Sequence, residues 1–240
     1  IDNEFICVGY KQSKDNKKRE LEGIYSFYID LEKENISDIK DSPFPNDMIT
    51  KIKSLQSFKE VQSNSRVRIR RTLKLDDGGL IAIGEDDTYS IIYGGSDFAD
   101  YMSGAIFISK IGPEGKVEWN TAIPKLQSFI NNSFGKHNSF DCFLYEKSIY
   151  FIFNDHKDNI KNYDYDKVKL INRKEIKQSN VVIAKMDLKT GKYEKQALPI
   201  SSKTLAPHMF TRKAYLTKND KVIMLIEAGK KQYICQISLI

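Results

Sequence analysis

Residues 77–84 read DGGLIAIG, and residues 106–119 read IFISKIGPEGKVEW. In the first stretch a turn of Asp and Gly leads into a short apolar strand, because these residues adopt positive φ angles at low cost. In the second stretch an apolar strand ends in Lys110 and Ile111, a turn follows with Gly115, and an amphipathic strand completes a hairpin. Together with VRIRRTLKL from Val67, which precedes the DGG turn, this part of the chain predicts four antiparallel strands.

The apolar strand recurs along the chain at nearly constant spacing. Its copies are FICVG from Phe5, LIAIG from Leu80, IYFIF from Ile149 and VIMLI from Val222. Their starts lie 75, 69 and 73 positions apart, which is typical of a repeat fold. We therefore expect an all-β chain, with residues 1–240 forming a single β-propeller or part of one, built from four-stranded antiparallel blades of about 70 residues.

The ends of the chain do not match those of a sealed ring. The sequence predicts strands two to four of a first unit, two complete units, and strands one to three of a fourth, which ends in QYICQISLI from Gln232. We interpret the chain as the C-terminal part of a longer one. Residues Pro45 to Glu60 have apolar spacing that predicts a short helix, and Val168 to Ile176 are expected to form an extra strand or helix in a long connection.

The turns resemble those of bacterial propeller repeats, in which a DGG turn precedes an apolar strand ending in Gly and a second turn precedes Trp. Asp77 to Gly84 and Ile106 to Trp119 carry this resemblance, and Lys185 to Tyr193 look like a second copy. Gly112 stands where the repeats have Asp, and the other units lack the DGG turn. Such repeats are common in exported proteins of the Bacteroidetes, so the resemblance implies a location in the periplasm or at the cell surface.

Composition bounds the class of protein. The chain has 40% hydrophobic residues, a mean hydropathy of -0.47 and a net charge of +6, with both signs interspersed. No apolar run reaches the roughly 20 residues of a membrane-spanning helix, and no nucleic-acid-binding module accompanies the small basic excess. Cys7, Cys142 and Cys235 lie far apart in apolar segments, which predicts buried thiols and no disulfide framework or zinc site.

Two groups of charged residues are candidates for contacts. Arg68 and Arg70 alternate on one predicted strand face, which fits a solvated or acid-paired face, or a site for an anionic ligand or nucleic acid. Glu85, Asp86 and Asp87 fit a turn, or calcium ligands, although the spacing of an EF-hand loop is absent.

Histidines and aromatics supply the remaining candidates. His137 and His208 each precede the first strand of a unit, which would bring them to the mouth of a propeller channel. They either have ordinary loop or capping roles or take part in metal binding or acid/base chemistry, whereas His156 is expected in a polar loop. Tyr89, Tyr93, Phe98 and Tyr101 fall in a predicted long loop and either pack on their own blade or form a contact patch for a sugar or a protein.

The sequence contains none of the familiar spacings of catalytic or phosphate-binding motifs. We therefore expect no catalytic residue, metal or cofactor, and a chain that is not an enzyme. The first hypothesis is an interaction or scaffold propeller in an exported or outer-membrane-associated assembly, with a protein partner and no nucleic acid. The alternative is a propeller enzyme or carbohydrate-binding protein with its site at the channel mouth.

Overall fold

The computed structural model of the chain describes residues 4–12, 21–56, 66–92, 98–130, 138–172, 176–200, 208–228 and 231–239. The strands within these residues form four sheets, and neighbouring strands of each sheet run antiparallel. The prediction of an all-β antiparallel fold is confirmed. Among the described residues, no helix is long and apolar enough to cross a membrane.

Sheet I has two long strands and two short ones. They are β1 (Glu4–Gln12), β2 (Leu21–Asp30), β3 (Asn35–Ile36) and β4 (Lys40–Pro43). Both short strands pair with β2, so two short strands stand where the sequence predicted one. Helix α1 (Asn46–Gln56) follows and confirms the predicted helix, except for residues 57–60, which lie outside the described residues.

Sheet II contains the DGG turn. Its strands are β5 (Arg66–Lys74), β6 (Leu80–Ile92), β7 (Phe98–Ile111), β8 (Val117–Ile123) and β9 (Gln127–Ile130). The order is β5-β6-β7-β8, and β9 pairs with the start of β7. The four predicted strands are therefore present, with β9 added.

Sheets III and IV repeat the same up-and-down order. Sheet III comprises β10 (Phe140–Tyr145), β11 (Ser148–His156), β12 (Ser179–Asp187) and β13 (Tyr193–Ala197). Sheet IV comprises β14 (His208–Leu216), β15 (Lys221–Ala228) and β16 (Lys231–Ser238). Sheet IV has three strands among the described residues, as predicted for the last unit.

Positive φ angles occur in the hairpin turns. Gly78 in the DGG turn has φ +86°, and Gly115 has φ +78°. Glu146 and Asp220 adopt φ values of 51° and 59° in the two other predicted turns. Short polar turns therefore fix the register of each hairpin, as expected from the sequence.

Two predicted loops are ordered differently from expectation. The connection around Tyr89, Phe98 and Tyr101 was predicted as a long loop, but β6 extends to Ile92 and β7 begins at Phe98. The connection between β11 and β12 contains three-residue 3-10 helices. Within residues 168–176, where an extra strand or helix was predicted, Ile171 forms a parallel bridge to Gln127. Residues 173–175 lie outside the described residues.

The chain divides into two compact units, each with its own buried residues. Unit 1 comprises Ile1–Asp87 and Ala105–Ile123, and unit 2 comprises Thr88–Gly104 and Pro124–Ile240. In unit 1, the Tyr10 ring contacts the Phe107 ring, and the Ser26 hydroxyl donates a 2.6 Å hydrogen bond to the Gly115 carbonyl. In unit 2, the apolar faces of sheets III and IV pack together through residues such as Ile152 and Met224.

The three cysteines all lie within the described residues, and none forms a disulfide. Cys142 is buried, whereas Cys7 and Cys235 are half-buried. The prediction of buried thiols is confirmed for Cys142 and is wrong for Cys7 and Cys235, which keep part of their surface exposed.

Replacing Gly115 by Ala should destabilise the fold by about 1–2 kcal/mol, since an L-residue is strained at positive φ. A Cβ at this position would also lie 3.1 Å from Cε2 of Tyr28. Urea denaturation measures the loss. Lys116→Ala, at an exposed neighbouring position, is the control and should change stability by less than about 0.5 kcal/mol. Equal stability of the two variants would contradict the role of Gly115.

Candidate functional site

The arginine face of β5 is partly paired with acids. Arg70 is the extra residue of a β-bulge, and its side chain donates to the carboxylates of Glu85, at 3.2 Å, and Asp87. Glu85 is fully buried, so the guanidinium compensates a desolvated carboxylate. Arg68 is exposed and lies opposite Glu85 in the strand register. These acids were expected in a turn; that expectation is wrong, because they continue strand β6.

The histidines are only partly described. His137 lies outside the described residues, and of His208 the backbone alone is described, in β14 opposite Glu227. His156 was expected in a polar loop but is buried at the end of β11. Its Nδ1 accepts a 3.2 Å hydrogen bond from the Asp158 backbone N–H, so the ring caps a 3-10 turn.

The four candidate aromatics do not form a describable patch. Tyr93 lies outside the described residues. Tyr89, Phe98 and Tyr101 are strand residues whose backbones alone are described. Their contact with a sugar or protein stays a prediction.

Sequence reasoning missed a buried polar group in unit 2, which we call the Asp155 cluster: Asp155, His156, Asn159 and Lys195. Asp155 Oδ1 accepts hydrogen bonds from the His156 backbone N–H at 2.9 Å and from Asn159 Nδ2 at 2.7 Å. Asp155 Oδ2 is buried and accepts no hydrogen bond from the described residues. Its nearest cation is Lys195, whose Nζ lies 3.9 Å away.

Lys195 reaches the cluster from β13, where it is the buried residue at the centre of the strand. Its Nζ donates to the carbonyls of Asn159, at 2.5 Å, and Asn162, at 2.9 Å. The ammonium also lies 5.4 Å from the centre of the Tyr163 ring. Lys195 therefore ties the connection that follows β11 to sheet III. A lysine among polar residues gives little sequence signal of burial, which is why it was missed.

Burial perturbs both charged groups of the cluster. Desolvation raises the pKa of Asp155 to about 6, against the opposing effect of Lys195, Asn159 and Lys125. Desolvation also lowers the pKa of Lys195. Neither side chain has any exposed surface, so the pair acts on the fold and cannot meet a dissolved substrate directly.

Two further buried amides join segments within unit 2. Asn154 bridges to β14: its Nδ2 donates to the Met209 carbonyl at 2.9 Å, and its Oδ1 accepts from the Met209 N–H at 2.8 Å. Gln127 donates to the Asn154 carbonyl at 2.6 Å and accepts from the Ser139 N–H at 2.8 Å. These hydrogen bonds satisfy backbone groups that have no strand neighbour. A buried backbone group without a hydrogen bond would destabilise the fold.

No group of three or more His, Cys, Asp or Glu side chains within the described residues could hold a metal ion. Glu85, Asp86 and Asp87 were considered as calcium ligands, but two of these carboxylates pair with Arg70 instead.

An open cleft of about 360 Å³ lies beside sheets III and IV. Its lining comes from β12 and β13 on one side and from the end of β16 on the other. Charged, neutral polar and apolar residues line it: Lys185, Glu194, Gln196, Leu198, Ile237 and Leu239.

Strand β16 borders this cleft and pairs with β15 alone among the described residues. Ile234 is 78% exposed and Tyr233 is 47% exposed. In sheet III the corresponding third strand, β12, is covered by β13, and its Ala184 and Met186 are fully buried. On β16 the residues that pack toward the core, Cys235 and Ile237, stay half-buried.

No protein-family model matches the sequence, and no curated protein matches it. Solved structures similar to the chain include the full-length β-fructofuranosidase of Microbacterium saccharophilum K-1, at 14% identity and a TM-score of 0.34. The catalytic domain of the same enzyme gives 12% identity and a TM-score of 0.32. These matches cover 98% and 95% of this chain but 53% and 54% of those chains, so the chain spans about half the length of the structures it matches.

The expectation that the chain is not an enzyme is corrected by this finding, since the similar solved chains are enzymes. Missing sequence motifs were the basis of that expectation, and active sites assembled from distant residues need no such motif. At these identities and TM-scores the similarity assigns neither an activity nor a substrate to the chain.

The raised pKa of Asp155 predicts a specific pH dependence of stability. The ordinary pKa of the Asp155 carboxyl is 3.8, and in the folded chain it is about 6. Between these two pH values, the folded chain keeps a proton on Asp155 that the unfolded chain releases. This contribution is therefore fully present at pH values below 3.8 and is lost as the pH rises through 6. Relative to Asp155→Asn, the wild type should lose up to about 3 kcal/mol of unfolding free energy over this range.

Denaturant titrations at pH 4, 5, 6 and 7 measure this difference. Asp164→Asn, an exposed carboxylate of the same connection, is the control and should follow the wild-type curve. A constant difference between wild type and Asp155→Asn across the series would contradict the titration of Asp155.

Proposed function

We propose that the chain is a β-propeller-type repeat protein that binds another polypeptide along strand β16 of sheet IV. The propeller part of this proposal rests on four antiparallel sheets with the same up-and-down order, spaced by about 70 residues. The binding part rests on one observation, the exposed apolar edge of β16.

An edge strand with exposed apolar side chains is unusual in a free soluble domain. Unpaired N–H and C=O groups along such a strand attract other strands, and natural proteins cover the edge or place charges and prolines on it. Of the eight residues of β16, only Lys231 is charged, and none is proline. The edge instead presents Ile234 and Tyr233, which favours a surface that another polypeptide covers.

The lining of the neighbouring cleft is consistent with recognition of a polypeptide. Lys185 and Glu194 supply charges of opposite sign, and Leu198 and Ile237 supply apolar surface. Protein interfaces combine apolar and polar surface in this way.

The exported location is part of the same proposal and rests on the resemblance of the hairpin turns to bacterial propeller repeats. A partner in an envelope assembly would follow from that location. The cross-linking experiment below tests the partner and the location together, because it is performed in envelope fractions.

A photo-reactive benzoylphenylalanine in place of Gln232, an exposed position of β16, should cross-link one defined polypeptide in envelope fractions of the source organism. Ile234→Lys in the same chain should abolish the adduct, since a charge replaces the most exposed apolar side chain of the edge. Ile36→Lys, at a 62% exposed isoleucine of sheet I, is the matched control and should leave it unchanged. An adduct that survives Ile234→Lys, or none at all, would refute binding at β16.

A further inference from the structure

We propose that the partner donates a β-strand, which pairs antiparallel with β16 as a fourth strand of sheet IV. This inference rests on the proposed function, because it specifies how the same surface binds. It names the partner by its chemistry: an extended, amphipathic segment of another polypeptide whose backbone pairs with the open edge.

The backbone hydrogen bonds of sheet IV determine which groups of β16 face the open edge. The Leu239 N–H donates to the Asp220 carbonyl at 3.2 Å, directly beyond the last residue pair of β15 and β16. The register of the two strands is regular, with no bulge. In an antiparallel pair, hydrogen-bonded and non-hydrogen-bonded positions alternate.

It follows that the odd-numbered residues of β16 bond to β15. The N–H and C=O groups of the even-numbered residues point to the open edge: Gln232, Ile234, Gln236 and Ser238. A fourth strand would satisfy these groups. Among the described residues, no other strand pairs with that side of β16.

The other sheets provide the template for this fourth strand. In sheets II and III the third strand pairs antiparallel with a fourth, β8 and β13 respectively. These fourth strands are seven and five residues long and carry both polar and apolar side chains. The sheet IV strand should therefore be of similar length and character.

The cleft beside sheet III supplies the space for such a strand. It lies between β13, the fourth strand of sheet III, and the end of β16. Adjacent strands of a sheet lie about 4.8 Å apart, so a strand added to β16 would enter this cleft. Its inward side chains would cover Ile237 and Leu198, and its polar side chains would face Lys185 and Glu194.

The probe for the experiment is a fluorescein-labelled synthetic peptide, GKYEKQALPI, with the sequence of residues 191–200, which include the chain's own fourth strand β13. Fluorescence anisotropy measures its binding to the chain, with a scrambled peptide as control. Binding of GKYEKQALPI and not of its scrambled form is expected. If neither peptide binds, or both bind equally, strand addition is overturned.

Gln236→Pro removes an N–H that faces the open edge and leaves the bonds to β15, which is the position where proline is tolerated in an edge strand. It should weaken peptide binding about tenfold or more. Gln236→Ala removes the side chain but keeps the N–H, and its affinity should stay within about threefold of wild type. Equal affinities of the two variants would overturn backbone pairing.

Hydrogen exchange provides a test that does not depend on how the proline variant folds. In the free chain the amides of Ile234 and Gln236 should exchange quickly and those of Tyr233 and Cys235 slowly. The peptide should slow exchange at Ile234 and Gln236. If the peptide binds without slowing the exchange of these two amides, it docks through side chains only, and strand addition is overturned.

The two proposals can fail separately. If the cross-link from position 232 persists in Gln236→Pro, a partner binds at this surface without pairing with the strand, so the proposed function survives and this inference fails. If the chain forms dimers that Gln236→Pro disrupts, a second copy of the chain covers the edge, and the partner assigned here is wrong.

Discussion

Backbone hydrogen bonding along strand edges is the constraint on which the rest of this structure depends. Each strand has polar groups on two sides, and burying them without partners is costly. In sheets II and III the third strand pairs with β8 and β13 respectively, and in sheet I the short strands β3 and β4 pair with β2. Sheet IV pairs β16 on one side only within the described residues, and β16 carries the exposed side chains of Tyr233 and Ile234.

Where strands cannot pair, buried side chains take over the backbone groups. Asn154 bonds both backbone groups of Met209, and Lys195 bonds the carbonyls of Asn159 and Asn162. Buried polar groups add little net stability compared with an apolar core of the same shape, but removing one partner leaves another unsatisfied. The Asp155 cluster therefore specifies the path of the connection after β11 more than it strengthens the fold.

Local chemistry made the hairpins predictable. Gly78 and Asp220 are of residue types that tolerate positive φ, and both adopt it. Alternating apolar residues on either side predicted the long strands of each sheet, whereas the additional short strands of sheets I and II were not predicted. The extension of β6 and β7 could not be predicted, because polar residues such as Glu85 and Asp86 are typical of loops. Their burial in a strand is possible only because Arg70 and the paired strand offset its cost.

The sequence by itself determined the all-β class, the repeat and the turns, since these depend on neighbours a few residues apart. Only the tertiary structure decided which polar residues are buried and which strand edge is open. Asp155 and Lys195 lie 40 positions apart and acquire perturbed pKa values only when β11 and β13 join one sheet. The exposure of Ile234 likewise depends on how many strands pair with β16, and the local sequence QYICQISLI does not predict that number.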